Sequence, residues 1–138
     1  MKIDLLEFEK RCRRIANILE KNKVTFVYGV PRGGLIPAVR ISHMNDIALL
    51  TTLDKSIPVQ YVAIIDEILD SGETRKKYSQ YNNFFVLVNK KEEKINEWVT
   101  FFWEEEDEQE KKKERQLKYE LQTQLSEKAN KPYQELDI

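Results

Sequence analysis

The chain has 138 residues, 41% of them hydrophobic, which is enough for one domain with a single modest core. Its 23 basic and 24 acidic residues give a formal net charge of -1, so the overall charge favours neither nucleic acid nor an anionic membrane surface as a partner. The single cysteine excludes an internal disulfide. With no signal-peptide pattern and no apolar run near the roughly 20 residues of a membrane span, it favours a soluble cytoplasmic protein.

The amino-terminal part predicts a helix, a strand and a second helix. Apolar residues recur at three- and four-residue steps over residues 4–21, so this segment reads as an amphipathic helix that Asp4 can cap. The β-branched and aromatic residues 24–28 predict a strand, which ends at the glycine-rich loop GVPRGG. A helical pattern then resumes over residues 35–44.

Short strands dominate the predicted elements that follow. Residues 47–53 and 61–65 read as buried strands around a break at residues 55–58. A short helix is predicted at residues 73–81, and further strands at 84–88 and 98–102 are separated by the charged segment KKEEKINE. Strands that alternate with helices indicate an α/β fold with a parallel sheet and helices on both faces.

The composition changes at Glu104, where acidic residues begin to outnumber basic ones. We therefore divide the chain into a domain at residues 1–103 and a charged helical extension at residues 104–138. Leu117, Leu121 and Leu125 form a thin stripe with Tyr119, which predicts a helix to about Lys128 and a frayed end beyond it. This helix either packs by one edge on the domain or a partner subunit, or serves as a dedicated partner-binding helix.

Two unusual loops follow two of the predicted strands. In an open parallel sheet, ligands bind where the carboxyl ends of the strands and the following loops converge. The loop DSGET offers backbone N–H groups and the hydroxyls of Ser71 and Thr74 to a phosphate monoester, and Gly72 allows close approach. Just before it, Asp66 and Glu67 carry carboxylates suited to vicinal sugar hydroxyls and to a magnesium ion.

The second loop, GVPRGG, adds a guanidinium to exposed backbone N–H groups. Arg32 stands between a proline and two glycines, so this loop suits a second anionic group such as pyrophosphate. One sugar with phosphates at both ends would satisfy both loops.

These two motifs, AIIDEILDSGET and the earlier YGVPRGGLIPA, resemble those of the type I phosphoribosyltransferases. The second is similar to the pyrophosphate loop of the purine branch, especially the xanthine-guanine and hypoxanthine enzymes. Two weaker features agree, namely VLVNK and EWVTFFWE, which resemble base-binding segments of that branch. The resemblance covers roughly residues 24–104.

The resemblance implies a twisted parallel sheet flanked by helices, with a reduced hood over its carboxyl edge. It also implies a purine-salvage activity, in which 5-phosphoribosyl-1-pyrophosphate and Mg²⁺ convert xanthine, hypoxanthine or guanine to the nucleoside monophosphate and pyrophosphate. Members of the family usually form homodimers or higher homo-oligomers.

Site residues are implied position by position. The first group comprises the ribose-binding and metal-binding acids Asp66 and Glu67, the general base Asp70, and the 5′-phosphate loop Ser71, Gly72, Glu73 and Thr74. The second comprises the pyrophosphate loop Val30, Pro31, Arg32 and Gly33, which often holds a cis peptide in this family, and the base-binding residues Lys90, Trp98 and Val99. Lys90 would contact the six-position oxygen, Trp98 would stack on the base, and Val99 would offer backbone groups to the purine edge.

Three departures from the family pattern keep other functions open. Glu67 replaces the usual aspartate, the flexible loop that closes over the site is reduced to LDKSIPVQ, and the hood is shortened. A catalytically weak or inactive protein that binds phosphoribosyl pyrophosphate or nucleotides in a regulatory role is the main alternative, and an interaction module built on the charged tail is a minor one. Lys90 also reads as a surface lysine, and Trp98 as an aromatic that closes the sheet edge.

Overall fold

The structure is a computed structural model that describes residues 1–104 and 108–128. It divides into two compact units, Met1–Val99 and Thr100–Ile138. The strands are β1 (Lys2–Ile3), β2 (Phe26–Gly29), β3 (Ala48–Leu50), β4 (Val62–Leu69), β5 (Phe84–Asn89) and β6 (Thr100–Phe101). The helices are α1 (Leu5–Lys21), α2 (Leu35–Asn45), α3 (Glu73–Lys77) and α4 (Glu108–Lys128). None of the helices in the described ranges is long and apolar enough to cross a bilayer.

The first unit is built on a four-stranded sheet of order β3-β2-β4-β5. All three pairings are parallel, and their registers align Phe26 with Val62 and Ile64 with Phe84. The predicted parallel sheet is therefore confirmed. Because the strands are parallel, the loops that leave β2 and β4 emerge at the same edge of the sheet.

Helices α1 and α2 pack against each other, α2 against the central strands β2 and β4, and α1 against β5. The Asp4 carboxylate accepts a 2.8 Å hydrogen bond from the Glu7 N–H, so the predicted cap is present. The buried side chains of α1 recur at helical spacing and are Phe8, Arg11, Cys12, Ile15, Ala16 and Leu19. Arg11 is the one charged member of this buried stripe.

The opposite face of the sheet is covered mostly by irregular segments. Val62, Ile64 and Tyr81 form a core cluster, and Leu53 and Ile57 from the segment before β4 pack against it. Helix α3 has five residues and stops well short of the predicted position 81. The chain leaves the helix because the residues after it turn back onto the sheet, where Tyr81 is buried.

Strand lengths also differ from the predicted ones. Strand β4 runs through Leu69 instead of ending at residue 65, because its pairing with β5 continues to Leu69 and Asn89. Strand β3 has only three residues, and it lies at the edge of the sheet, where it pairs on one side. Strand β6 has two residues, whereas the sequence predicted a strand over residues 98–102. The acidic pair after residue 65 therefore lies on a strand and not in a loop.

The second unit contains β6, an aromatic group and α4. Trp103 stacks on Phe101 with ring centroids 4.6 Å apart and meets Phe102 edge-on at 5.1 Å. Helix α4 is described as far as Lys128, and the predicted end of this helix lies at the limit of the described residues. Its leucine stripe is largely exposed, with Leu117 at 65% and Leu125 at 54%. The predicted frayed end at residues 129–138 lies outside the described residues.

Candidate active site at the carboxyl edge of the sheet

Two loops leave the sheet side by side. Strand β2 ends at Gly29 and β4 at Leu69, and the two strands are hydrogen-bonded neighbours. The loop of residues 30–34 and the loop of residues 70–72 therefore start from adjoining strands at one edge. This is the arrangement that the sequence predicts for the two anion-binding loops.

The loop of residues 30–34 is tied to β4 by its backbone. The Val30 N–H donates to the Ile65 carbonyl at 2.8 Å, and the Gly34 N–H returns to the Val30 carbonyl at 2.9 Å. The peptide bond between Pro31 and Arg32 is cis, the geometry that the resemblance implies for this loop. Both of these residues are exposed, so the Arg32 guanidinium extends from a backbone that is held at both ends.

Glycines let this loop lie close to the sheet. A Cβ atom at Gly34 would meet the Ile65 carbonyl oxygen and would lie 2.8 Å from the Val30 nitrogen. A Cβ atom at Gly33 would instead meet the carboxylate of Glu67. Glu67 therefore projects from β4 toward the loop of residues 30–34.

Asp66 projects from the other face of β4. Successive residues of a strand point to opposite sides, and Asp66 shares the side of Ile64, where the core includes Tyr28 and Tyr78. Burial raises the pKa of Asp66, opposed by a 2.8 Å hydrogen bond that its Oδ1 accepts from the Glu67 N–H. The structure thus does not bring the two predicted acids together as a pair of side chains.

The loop that follows β4 is open at its centre. Gly72 has φ 85°, a left-handed conformation that other residues rarely adopt, and open space surrounds the position where its Cβ would lie. The Glu73 N–H donates to the Ser71 hydroxyl at 3.4 Å, and Thr74 lies in the first turn of α3. The backbone of Gly72 is therefore accessible to a ligand of phosphate size.

Asp70 and Lys90 are brought together by neighbouring strands. Asp70 follows β4 and Lys90 follows β5, and the Lys90 N–H donates to the Leu69 carbonyl at 3.1 Å. The Lys90 ammonium lies 3.8 Å from the Asp70 carboxylate, with the lysine side chain 17% exposed and the aspartate 76% exposed. The predicted general base thus lies beside a residue that is predicted to bind the base.

Trp98 and Val99 end the first unit. Trp98 is 51% exposed, whereas Val99 is buried at 3%. The Trp98 carbonyl accepts a 2.8 Å hydrogen bond from the amino group of Met1. The exposure of the indole is compatible with stacking on a base, and the backbone of this segment is anchored.

The carboxylates of Asp66 and Glu67 suit a magnesium ion whose other ligands are phosphate oxygens of a bound ligand and water. Within residues 1–104 and 108–128, no group of three or more His, Cys, Asp or Glu side chains is placed to hold a metal ion. Magnesium commonly binds through one or two carboxylates, substrate phosphates and water, so Asp66 and Glu67 fit it as single ligands from either face of β4. Magnesium bound in this way does not require a complete set of protein ligands.

Two tyrosines near Asp66 were missed by the sequence interpretation. The rings of Tyr28 and Tyr78 lie 6.1 Å apart, and burial, followed by the proximity of Tyr28 and then of Asp66, raises the pKa of Tyr78. Tyr28 could have been found, because it lies one residue before the glycine-rich loop on the same strand face as Asp66. Tyr78 carries no such signal, since it reaches the sheet only through the turn after α3.

A cavity lies away from this edge. Its volume is about 300 Å³, and its lining includes Glu20, Thr25 and Met44, near the amino end of β2 and the carboxyl ends of α1 and α2. None of the predicted site residues lines it. The candidate site is therefore an open edge formed by two loops and not this cavity.

Solved structures of other proteins share this architecture. A purine phosphoribosyltransferase from Pyrococcus horikoshii Ot3 superposes with a TM-score of 0.54 and 24% identity, over 75% of this chain and 94% of that chain. A xanthine-guanine-hypoxanthine phosphoribosyltransferase from Helicobacter pylori superposes with a TM-score of 0.55 and 16% identity, over 74% of this chain and 90% of that chain. No protein-family model and no curated protein matches the sequence. At these identities the likeness is one of fold, and it confirms the predicted fold class.

Proposed function

We propose that this chain, which has the fold of the purine type I phosphoribosyltransferases, transfers phosphoribose from 5-phosphoribosyl-1-pyrophosphate to a purine base. The base is xanthine, hypoxanthine or guanine, and the products are the nucleoside monophosphate and pyrophosphate. One observation carries the proposal: an arginine-bearing loop after β2 and a hydroxyl-bearing loop after β4 leave neighbouring parallel strands at the same edge of the sheet, although β4 continues past Ile65, the partner of the last residue of β2. A sugar with phosphates at both ends matches that pair of loops.

The two loops divide the phosphates of the substrate between them. Arg32 supplies a guanidinium, and the backbone of Val30, Pro31 and Gly33 surrounds the pyrophosphate. Ser71, Gly72, Glu73 and Thr74 supply hydroxyl and backbone N–H groups to the 5′-phosphate. The φ of 85° at Gly72 aids close approach.

The acids of β4 act on the sugar. Because the two side chains face opposite sides of β4, either Asp66 or Glu67 accepts hydrogen bonds from the ribose hydroxyls, and either carboxylate can complete the shell of a bound Mg²⁺. Such an ion would neutralise charge on the pyrophosphate leaving group. Asp66 is partly buried and has no ion-paired cation among the described side chains, so it is suited to a ligand that brings its own donors.

Bond exchange occurs at C1 of the ribose. The bond from C1 to the pyrophosphate oxygen breaks, a bond from C1 to a purine nitrogen forms, and the proton of that nitrogen passes to the Asp70 carboxylate. The sugar becomes oxocarbenium-like on the way, so charge placement matters more than a covalent nucleophile. Lys90 contacts the six-position oxygen, Trp98 stacks on the base and the backbone of Val99 meets the purine edge.

A panel assay tests the proposal. Purified protein is incubated with Mg²⁺, phosphoribosyl pyrophosphate and one of xanthine, hypoxanthine, guanine, adenine, uracil or orotate, and the products are separated by chromatography. We expect a nucleoside monophosphate and an equal amount of pyrophosphate with at least one of the first three bases. A chain that forms no product from any base contradicts the proposed activity.

One observation favours a second candidate function, a regulatory protein that binds phosphoribosyl pyrophosphate or nucleotides without efficient turnover. The segment before β4 stands where the family carries its closing loop, and Leu53 and Ile57 pack it onto the core. A segment held in this way is poorly suited to close over a reacting centre and exclude water. Calorimetry that detects ligand binding while the assay detects no product would favour this function.

Location and assembly belong to the same proposal. We expect a cytoplasmic protein, where the substrate would be encountered and the buried Cys12 stays reduced. We also expect a homodimer or a higher homo-oligomer. Sedimentation velocity at micromolar concentration tests the assembly, and a monomer would contradict it.

A further inference from the structure

Arg11 is a buried charge whose guanidinium donates four hydrogen bonds. Its side chain is 8% exposed, and its two terminal nitrogens bind both carboxylate oxygens of Glu93 at 2.8 and 2.9 Å. The guanidinium also donates to the Leu87 carbonyl at 2.8 Å and to Glu7 at 2.9 Å. Because a buried charge is costly unless its donors are satisfied, this bidentate geometry is narrowly defined.

Glu93 connects this guanidinium to the turn after β5. Its carboxylate accepts a 3.2 Å hydrogen bond from the Asn89 N–H, and its own N–H donates to the Asn89 carbonyl at 2.9 Å. The Ile95 N–H then closes the turn on the Lys90 carbonyl at 2.8 Å. The backbone on both sides of Lys90 is therefore held by a turn whose one acidic anchor is fixed by Arg11.

Lys90 itself has a flexible stem and a point charge. Its ammonium reaches the Asp70 carboxylate at 3.8 Å, a loose pair whose geometry depends on where the stem begins. Displacement of a binding group by about 1 Å is enough to lower function by an order of magnitude or more. The start of that stem is held by the sheet through the Leu69 carbonyl and by the turn through the Ile95 N–H, so the turn contributes to where the ammonium lies relative to Asp70.

We propose that Arg11 and Glu93 are positioning residues for Lys90, and that through it they set the affinity of the site for the purine base. The effect on the base rests on the proposed function, whereas the positioning of Lys90 does not. Neither residue touches the substrate. Their removal is therefore expected to weaken base binding while leaving the sugar-phosphate contacts of the two loops intact.

A second bidentate pair provides a matched control. Arg40 binds both carboxylate oxygens of Glu9 at 2.7 and 3.0 Å, and it joins α2 to α1. This pair shares the bidentate geometry of the Arg11–Glu93 pair, although Arg40 is 38% exposed and Arg11 only 8%, and its hydrogen bonds involve neither the turn after β5 nor Lys90. Substitutions in the Arg40–Glu9 pair therefore report the general effect of losing an arginine–glutamate pair, and any additional effect of the Arg11 and Glu93 substitutions is attributed to Lys90.

The kinetic test compares Arg11→Lys and Glu93→Gln with Arg40→Lys and Glu9→Gln. For the first two variants we expect KM for the base to rise about tenfold, with KM for phosphoribosyl pyrophosphate within about twofold of the unsubstituted value. For the Arg40 and Glu9 variants we expect both constants to change less than twofold. Equal changes in both constants, or the same change in the control variants, would overturn the proposal.

A spectroscopic test requires no turnover, so it tests the positioning of Lys90 separately from the proposed enzymatic function. Lysines are dimethylated with ¹³C formaldehyde, and the Lys90 signal is assigned with Lys90→Arg. We expect Asp70→Asn to move this signal in the unsubstituted and Arg40→Lys backgrounds but not in the Arg11→Lys or Glu93→Gln background. An equal movement in all backgrounds would reject positioning of Lys90, even if the enzyme is active. An inactive chain that gives the expected pattern would reject only the proposed function.

Discussion

Asp66 and Glu93 are both partly buried acids that lie toward the same edge of the sheet, yet their pKa values are displaced in opposite directions. Burial raises the pKa of Asp66. The hydrogen bond from Arg11 lowers the pKa of Glu93, because the guanidinium favours the charged form more strongly than burial opposes it. One acid has a cation built into the fold, and the other has none among the described side chains.

The opposite pKa shifts distinguish an acid that stabilises the fold, Glu93, from an acid of the candidate site, Asp66. At Glu93 the chain completes its own electrostatic pairing, so the charge stabilises the folded state. At Asp66 the carboxylate is partly buried and accepts a backbone hydrogen bond from Glu67, so ionisation works against folding until a ligand supplies donors. Stability and ligand binding are therefore expected to respond differently to substitutions in the two regions.

The largest expected effect is on the chemical step at Asp70. Asp70→Asn removes the proton acceptor, so we expect the single-turnover rate to fall about 100-fold or more, with substrate affinities nearly unchanged. Asp70 is 76% exposed, so the urea midpoint should hardly move. Asp46→Asn, at the far end of α2, is the control. A loss of affinity equal to the loss of rate would assign Asp70 to binding instead.

The next largest effect is expected at the pyrophosphate loop. Arg32→Ala removes a guanidinium whose charge-assisted hydrogen bonds contribute about 1.5 to 3 kcal/mol each, so we expect KM for phosphoribosyl pyrophosphate to rise about tenfold or more. Arg13→Ala removes an exposed arginine of α1 and serves as the control. An unchanged KM for phosphoribosyl pyrophosphate in Arg32→Ala would exclude this residue from the site.

Adjacent glycines separate fold from function within one loop. Gly34→Ala places a Cβ against the backbone of Val30 and Ile65, so we expect the free energy of unfolding to fall by about 1 to 3 kcal/mol. For Gly33→Ala the three nearest atoms all belong to the side-chain carboxylate of Glu67 and not to backbone, so its urea midpoint should fall less. Equal destabilisation by the two substitutions would show that Glu67 is held as rigidly as backbone.

The Arg11–Glu93 pair should make stability depend on pH in the acid range. The pKa of Glu93 is lowered in the folded state, so its contribution is present above its ordinary value of 4.5 and is lost as pH falls through the folded value. Urea unfolding of the parent chain and Glu93→Gln should therefore differ at pH 7, and the difference should shrink steadily below pH 4.5. A difference independent of pH would mean that the charge of Glu93 does not contribute.

The smallest expected effect has the opposite sign and concerns Asp66. Since burial raises its pKa, the charged form is disfavoured in the folded state, and Asp66→Asn should raise the urea midpoint slightly at pH 7 without ligand. The asparagine oxygen can still accept the Glu67 N–H. The small effect concerns stability alone, since the same variant should turn over more slowly if Asp66 contacts the ribose. A lower urea midpoint for Asp66→Asn would show that the Asp66 carboxylate stabilises the fold in the absence of a ligand.

Local patterns predicted much of the framework. The cap at Asp4 and the extent of α1 agree with the periodicity of the sequence, because helix formation depends on residues within a few positions of one another. The polar run after the central strand also correctly predicted which edge of the sheet carries the two loops. Local patterns were less accurate where elements meet, as in β4, which pairs with β5 beyond its apolar segment.

The sequence by itself determined the class of fold, the order of its helices and strands, and the two loops that motivate the proposed sugar-phosphate site. Only the tertiary structure decided that Asp66 and Glu67 face opposite sides of β4, that Lys90 lies 3.8 Å from Asp70, and that Arg11 is paired with Glu93. The physical reason is the separation along the chain of the residues that interact. Periodicity reports which side chains share a face of one element, whereas strand order and register decide which faces and ends come together, and those depend on contacts between residues far apart in the chain.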